Sequence, residues 1–176
     1  MDIVAHGLWA ALLCRWRGRQ RPMPRLTAAW TVGLAMAPDL VQLTPIAIGA
    51  LALPEGWTAM QAYFHALPRY QPVLPPLVET LMHHLHCTMH SALVATAVTW
   101  LVWWRLQRLW WPLLGWWMHI VIDVFTHSAD FYPSPVLYPI TQQGFDGWAW
   151  NDPWLLMVNY IFILLLWVAT KDPCPH

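Results

Sequence analysis

The sequence predicts an all-α fold: a polytopic helical membrane protein of about five membrane segments, with a long outer loop over a polar site. Composition is the first reason. Of 176 residues, 58% are hydrophobic and only 10% are charged, whereas a soluble domain of this length carries about 25% charge. The second is that the apolar residues gather in five runs, at 3–14, 26–53 with an interruption at Pro38, 79–104, 109–128 and 154–170. The third is the placement of basic residues. Arg15, Arg17, Arg19, Arg21 and Arg25 follow the first run, Arg105 and Arg108 precede the fourth, and Lys171 follows the last, while Arg69 stands alone in the other set of loops. The positive-inside rule makes the richer set cytoplasmic and puts 54–78 and 129–153 on the outer face.

Each run has its own logic. The first, MDIVAHGLWAALLC, is short for a crossing and reads as a partial or tilted helix. It lacks a basic leading region and a small-residue cleavage site, so a retained helix is expected rather than a signal peptide. A full span needs about 20 apolar residues, which the third and fourth runs supply and the last narrowly misses. Trp100, Trp103, Trp104, Trp110 and Trp111 flank the turn from Arg105 to Arg108, the pattern of an aromatic belt at an interface. No repeat or linker divides the chain, and residues 1–176 read as one membrane-embedded domain. Net charge is zero without an extended basic stripe, which excludes a nucleic-acid partner. Cys14, Cys87 and Cys174 form neither a CxxC pair nor a disulfide framework.

The chemistry is carried by GWWMHIVIDVFTHSADF. His119, Asp123 and His127 are spaced four apart and so share one helical face, inside a run of Trp, Met, Ile, Val and Phe. Ionisable groups among such neighbours are costly unless they are paired, metal-bound or open to water. Counting from the cytoplasmic ends puts His119 at ~14 Å, Asp123 at ~20 Å, His127 at ~26 Å, His90 at ~21 Å, His86 at ~27 Å, Asp39 at ~20 Å and His6 at ~12 Å. Four separate runs thus bring imidazoles or carboxylates to neighbouring levels, which predicts one site opening towards the outer face. Histidine with aspartate and no cysteine suits Zn²⁺, then Mn²⁺ or Fe²⁺, and the donors outnumber the four ligands of one tetrahedral ion. His83 and His84 read instead as packing residues, and His65 as a loop residue. Polar donors in excess beside an outer loop favour a hydrolytic centre with room for water and substrate over a closed structural one.

The outer loop SADFYPSPVLYPITQQGFDGWAWNDP is long enough to be a lid. Asp130, three residues beyond His127, is a candidate base or a carboxylate holding an imidazole, and Asp39 is a second candidate catalytic acid. Tyr132, Tyr138 and Trp148 suit contact with a substrate at headgroup level.

Over nearly its whole length the chain resembles the bacterial membrane-bound metal-dependent hydrolases, the YdjM-like proteins. The resemblance is carried by MDIVAHGLWA, APDL at Ala37–Leu40, MHSALV from Met89, HIVIDVFTHSADFYPSPVLYPI from His119 and FDGWAW from Phe145. That family is similar in motif to the zinc-dependent phospholipase C and single-strand nuclease superfamily, whose His-x3-Asp helix His119 and Asp123 match. The resemblance implies a helical hydrolase of the bacterial inner membrane, with His6, Asp39, His86, His90, His119, Asp123 and His127 as metal ligands. Two positions depart from the pattern: Val41 stands where many relatives have an acid, and Cys87-Thr88-Met89 where many have Arg-Gly before the second histidine. The expected activity is zinc-dependent cleavage of a phosphoester in a lipid or lipid-linked headgroup near the outer leaflet. An amide or ester of a lipid is the variant within that class. A metal-binding or transport protein without hydrolysis is the rival from another class, but the cytoplasmic halves of the runs carry Trp, Leu and Val with no acid path. A haem held by His90 and His119 would leave Asp123 and His127 unexplained.

Overall fold

The structure, a computed structural model, describes residues 1–68, 70, 72–130 and 133–170. Among these there are helices and no strands: α1 (Ile3–Gln20), α2 (Arg25–Ala52), α3 (Gly56–Phe64), α4 (Pro76–Met89), α5 (Ala92–Leu106), α6 (Leu113–Thr126) and α7 (Pro153–Ala169). The predicted helical class holds, while the runs divide differently from expectation.

Asp2 starts α1 by accepting the Ala5 N–H at 3.0 Å. Helix α2 runs 28 residues straight through Pro38 and Pro45, so Pro38 does not interrupt it. A proline offers no N–H to the preceding turn. In that turn the Ala35 carbonyl accepts a hydrogen bond from outside the helix, donated by His119 Nδ1 at 2.7 Å. The run 79–104 is two helices, α4 and α5, bent by 57°. The bend falls where Ser91 caps α5 by accepting the Val94 N–H, while its own hydroxyl donates to the Tyr138 carbonyl at 2.6 Å. Helix α6 is only 14 residues long and ends at Thr126, where the loop takes over. Gly147 N–H donates to the His127 carbonyl and Trp148 N–H to that of Phe125, pinning the chain beyond the helix. Helix α3 lies inside what the sequence suggested was a plain outer loop.

Helix α2 is the hub, packing against α1, α3, α4 and α6; α7 packs on α1, and α5 on α4 and α6. Gly115 makes the α2–α6 crossing close. A Cβ built there would lie 2.0 Å from the Thr31 carbonyl oxygen. Three apolar clusters surround the middle: Met1, Ala5, Leu12 and Ile163; Ile46, Leu74, Val78 and Met82; Ala95, Leu113, Trp116 and Ile120. Outside, α7 exposes Trp154, Leu164, Leu165 and Val168, and α5 exposes Trp100, Leu101 and Trp104.

By length and composition α2 can cross a membrane, and the bent α4–α5 pair passes the same test if taken as one span. Helices α6 and α7 are apolar but shorter.

Candidate metal centre

Four elements deliver side chains to the middle of the bundle. Asp39 comes from α2, one residue after Pro38. His90 caps the C-terminus of α4 at the bend. His119 and Asp123 lie one turn apart on α6, and His6 comes from α1. His6, His90, His119 and Asp123 are fully buried, and Asp39 is 9% exposed. One donor atom from each of Asp39, His90, His119 and Asp123 lies within 4.8 Å of the others, a group that could hold a metal ion.

Asp123 is the centre of the arrangement. Its Oδ2 lies 3.0 Å from His90 Nε2, 3.0 Å from His119 Nε2 and 3.6 Å from His127 Nδ1. Its Oδ1 lies 2.9 Å from His6 Nε2 and 2.6 Å from the Met1 amino group, and it also receives the Thr126 hydroxyl at 3.3 Å. Asp39 Oδ1 is 3.8 Å from His90 Nε2 and 3.7 Å from His119 Nε2, and its Oδ2 is 3.9 Å from His6 Nε2.

The tautomers follow from the outer contacts. His119 Nδ1 faces the Ala35 carbonyl at 2.7 Å, and His90 Nδ1 faces the His86 carbonyl at 2.9 Å. A carbonyl only accepts, so both Nδ1 atoms carry the proton. The two Nε2 atoms point inward, 3.0 Å from each other and 3.0 Å from Asp123 Oδ2. Inward nitrogens and carboxylates converging in a buried space are a donor set that a cation could fill. Imidazole N–H groups held by backbone carbonyls are the usual outer support of histidine ligands.

Not every candidate is placed alike. His127 is the C-cap of α6: its N–H still bonds to the Asp123 carbonyl at 3.1 Å and its Nδ1 lies 3.6 Å from Asp123 Oδ2 as an i,i+4 pair, while its extended ψ of 133° turns the chain away after it. Its Nδ1 has no hydrogen-bond partner, nor do His6 Nδ1, His6 Nε2 or Asp39 Oδ2. His6 Nε2 nonetheless lies 2.9 Å from Asp123 Oδ1, within ion-pair distance. His86 is buried against His90, but its nitrogens face Gln42 Oε1 at 3.0 Å and the Pro133 carbonyl at 3.2 Å. Asp130 sits on the exposed turn after Ser128. Tyr138 is tied into the bend by its backbone, Trp148 is exposed, and Tyr132 lies outside the described residues.

A cleft of about 380 Å³ reaches the cluster from one side, with Asp39 and His127 in its wall. Its other lining includes Ile3, Val4, Leu43 and Phe64, with Asp2, Gln42 and Tyr63 as the polar members and Trp150 at the loop. Tyr63 accepts a hydrogen bond from Gln42 Nε2 at 3.3 Å. Gln42, Tyr63 and Phe64 were not singled out from the sequence. Gln42 stands one turn from Asp39, which is a helical-spacing signal, whereas nothing in the sequence pairs α3 with α2.

Compared with protein-family models, curated proteins and solved structures, the chain matches none. The chemistry of the cluster therefore rests on its own geometry.

Proposed function

We propose that this chain is a membrane-embedded, metal-dependent hydrolase in which Asp39, His90, His119 and Asp123 hold a divalent ion. The observation that carries this is the inward convergence of two Nε2 atoms and two carboxylates, with the outer Nδ1 protons fixed on the Ala35 and His86 carbonyls. Two imidazoles and two carboxylates without a thiolate favour Zn²⁺, with Mn²⁺ and Fe²⁺ the nearest alternatives. An ion there supplies a Lewis acid for a phosphoryl or carbonyl oxygen and a nucleophile at neutral pH.

The chain's own residues divide the remaining work. Asp39 is the cluster carboxylate at the cleft wall, with an unpaired buried oxygen, and it is the group to orient an entering water and take its proton. Gln42 and Tyr63 offer polar contacts to a headgroup, and Ile3, Val4, Leu43 and Phe64 take an apolar chain and exclude bulk water. A substrate both polar and apolar fits such walls. A phosphoester of a lipid or lipid-linked headgroup is the reading supported by these walls and by the resemblance to the YdjM-like hydrolases.

Membrane placement is supported by an inside-out distribution of polarity. Histidines, aspartates, Gln42, Thr31 and Asn159 are buried, while tryptophans, leucines and valines of α2, α5 and α7 are exposed. Continuous apolar exposure on that scale is unusual for a soluble monomer. The basic residues at the far ends of α1 and α5 orient the cleft towards the outer leaflet.

The test is release of products from extracted lipids by detergent-purified protein, assayed for phosphate-bearing headgroup and for free fatty acid, beside Asp123→Ala. Release of headgroup by the wild type, lost together with bound metal in the variant, is expected. Fatty-acid release would move the reaction to an ester or amide, and zinc retained without hydrolysis of any lipid would leave a metal-binding protein.

A further inference from the structure

We propose that a small pocket between the α1–α2 connection and the turn before α6 binds the phosphodiester of an anionic membrane lipid. It lies at the far end of α1 from the metal centre and its cleft, and it has no part in the hydrolytic reaction. The proposal rests on the membrane placement given above and not on the metal. The pocket has a volume of about 160 Å³, with Arg17, Arg21, Pro24, Thr27 and Trp111 in its wall.

The wall is built for an anion. Two guanidinium groups share it, no acid lines it, and among the described residues no carboxylate pairs with either arginine. Arg17 is half-buried, and its guanidinium carbon stands 5.2 Å from the centre of the Trp111 ring. A cation held over an aromatic face is fixed in place, while its in-plane N–H groups stay available for two-point bonding to phosphate oxygens. Trp111 adds a second, independent feature. Its Nε1 is buried and has no hydrogen-bond partner. An indole N–H only donates, and a buried donor without an acceptor is costly. An anionic oxygen in the pocket supplies that acceptor. Helix α2 also begins here: its N-cap is Pro24, no side chain caps it, and its first-turn N–H groups carry partial positive charge.

The surroundings favour a lipid over a free anion. Beside the pocket, Leu26 and Trp30 lie one turn apart on α2, 69% and 53% exposed. The Trp30 ring stands 6.3 Å from that of Trp110, the neighbour of Trp111. An acyl chain can follow this apolar track while its phosphate stays between the arginines. At about 160 Å³ the pocket is smaller than the roughly 300–1,000 Å³ that enclose whole small molecules, so it suits a headgroup whose tails remain outside. The charge bias of the loops puts this end on the cytoplasmic side, the leaflet in which anionic lipids gather.

The experiment is native mass spectrometry of detergent-purified protein with equal amounts of dioleoylphosphatidylglycerol and dioleoylphosphatidylcholine. The wild type should hold one phosphatidylglycerol in preference to phosphatidylcholine. Arg17→Gln/Arg21→Gln should weaken that binding by about 10-fold or more, and Trp111→Phe, which keeps the ring and removes the N–H, by about 3–10-fold. Arg19→Gln/Arg105→Gln removes two charges from outside the pocket and should leave binding unchanged, with all variants keeping the wild-type far-ultraviolet circular dichroism. Equal retention of the two lipids by the wild type, or equal losses in the two double variants, overturns the pocket. Displacement of phosphatidylglycerol by millimolar inorganic phosphate overturns the lipid and assigns the pocket to a free anion. A chain that stays in solution without detergent, a result read before any lipid is added, overturns the membrane placement and the lipid with it.

Discussion

Two pairs of imidazoles surround Asp123, and they are held differently. His90 and His119 each have an Nδ1 proton anchored on a backbone carbonyl and an Nε2 within 3.0 Å of Oδ2. His6 and His127 meet the same carboxylate at 2.9 Å and 3.6 Å, and His6 Nδ1 has no hydrogen-bond partner among the described residues. The first pair is anchored by backbone hydrogen bonds as well as by Asp123, and the second meets Asp123 without such an anchor among the contacts described. Burial does not distinguish them, since all four are almost completely enclosed. What separates them is the outer hydrogen bond, which fixes both the tautomer and the direction of the lone pair. A centre can therefore have a rigid side, set by α2, α4 and α6, and an adaptable side facing α1 and the cleft.

That contrast is broken most severely by removing an anchored ring. His90→Ala or His119→Ala should lower zinc affinity by more than about 100-fold, beyond the range typical of a lost supporting contact. His127→Ala should lower it by about 10-fold or less. Competition with a coloured chelator measures both, and equal losses would erase the distinction between the pairs.

A second way to probe the rigid side leaves every ligand in place. Gly115→Ala drives a methyl into the Thr31 carbonyl at the α2–α6 crossing, one turn before His119. Separating these helices stretches the His119–Ala35 bond and moves Asp39 away. Loss of about 10–100-fold in zinc affinity is expected, with a destabilisation of at least the 1–3 kcal/mol or so of ordinary overpacking. Wild-type affinity in a folded Gly115→Ala protein would show that the crossing does not position the site.

Ser91→Ala should act through the bend that presents His90. It removes the α5 cap and the bond to the Tyr138 carbonyl, costing about 1–2 kcal/mol of stability in thermal unfolding, with only a small change in zinc affinity. A large affinity loss without destabilisation would point to a direct role for the hydroxyl.

The smallest effect is expected furthest from the centre. Asp152 caps α7, and bonds from the Trp148 side chain and the Trp154 N–H hold its carboxyl below the usual value. A depressed carboxyl stabilises the fold above its unfolded pKa and loses that contribution as pH falls through the folded one. Asp152→Ala should therefore be slightly less stable than wild type at neutral pH and indistinguishable from it in strong acid. A difference that persists in acid would mean that the cap acts without its charge.

Much of the centre was legible because helical spacing is a strong signal. His119 and Asp123, four apart in an apolar run, share a face as expected, and depth counting brought Asp39, His90 and His6 to neighbouring levels. The end of α6 illustrates the limit: His127 meets Asp123 at i,i+4 spacing, but the helix stops there because loop N–H groups from Gly147 and Trp148 bond to its last carbonyls and the chain turns extended at His127. Helix ends decided by a distant loop leave no local trace. Pro38 misled in the other direction, since a proline usually marks a break, and here α2 continues while its neighbouring turn receives His119. The apolar run 79–104 concealed a bend, because what bends it is Ser91 bonding to a segment some 47 positions away. Helix α3, and with it Tyr63 and Phe64 in the cleft wall, was invisible because its packing partner lies in another run.

The convergence of the anchored pair and the two carboxylates on one ion is tested most directly by zinc K-edge X-ray absorption on the reloaded protein, wild type beside His119→Ala. The expected spectrum has only nitrogen and oxygen neighbours near 2.0–2.1 Å, with an imidazole outer-shell signal that weakens in the variant. Sulfur scattering near 2.3 Å, or an imidazole signal unchanged by the substitution, would contradict the account.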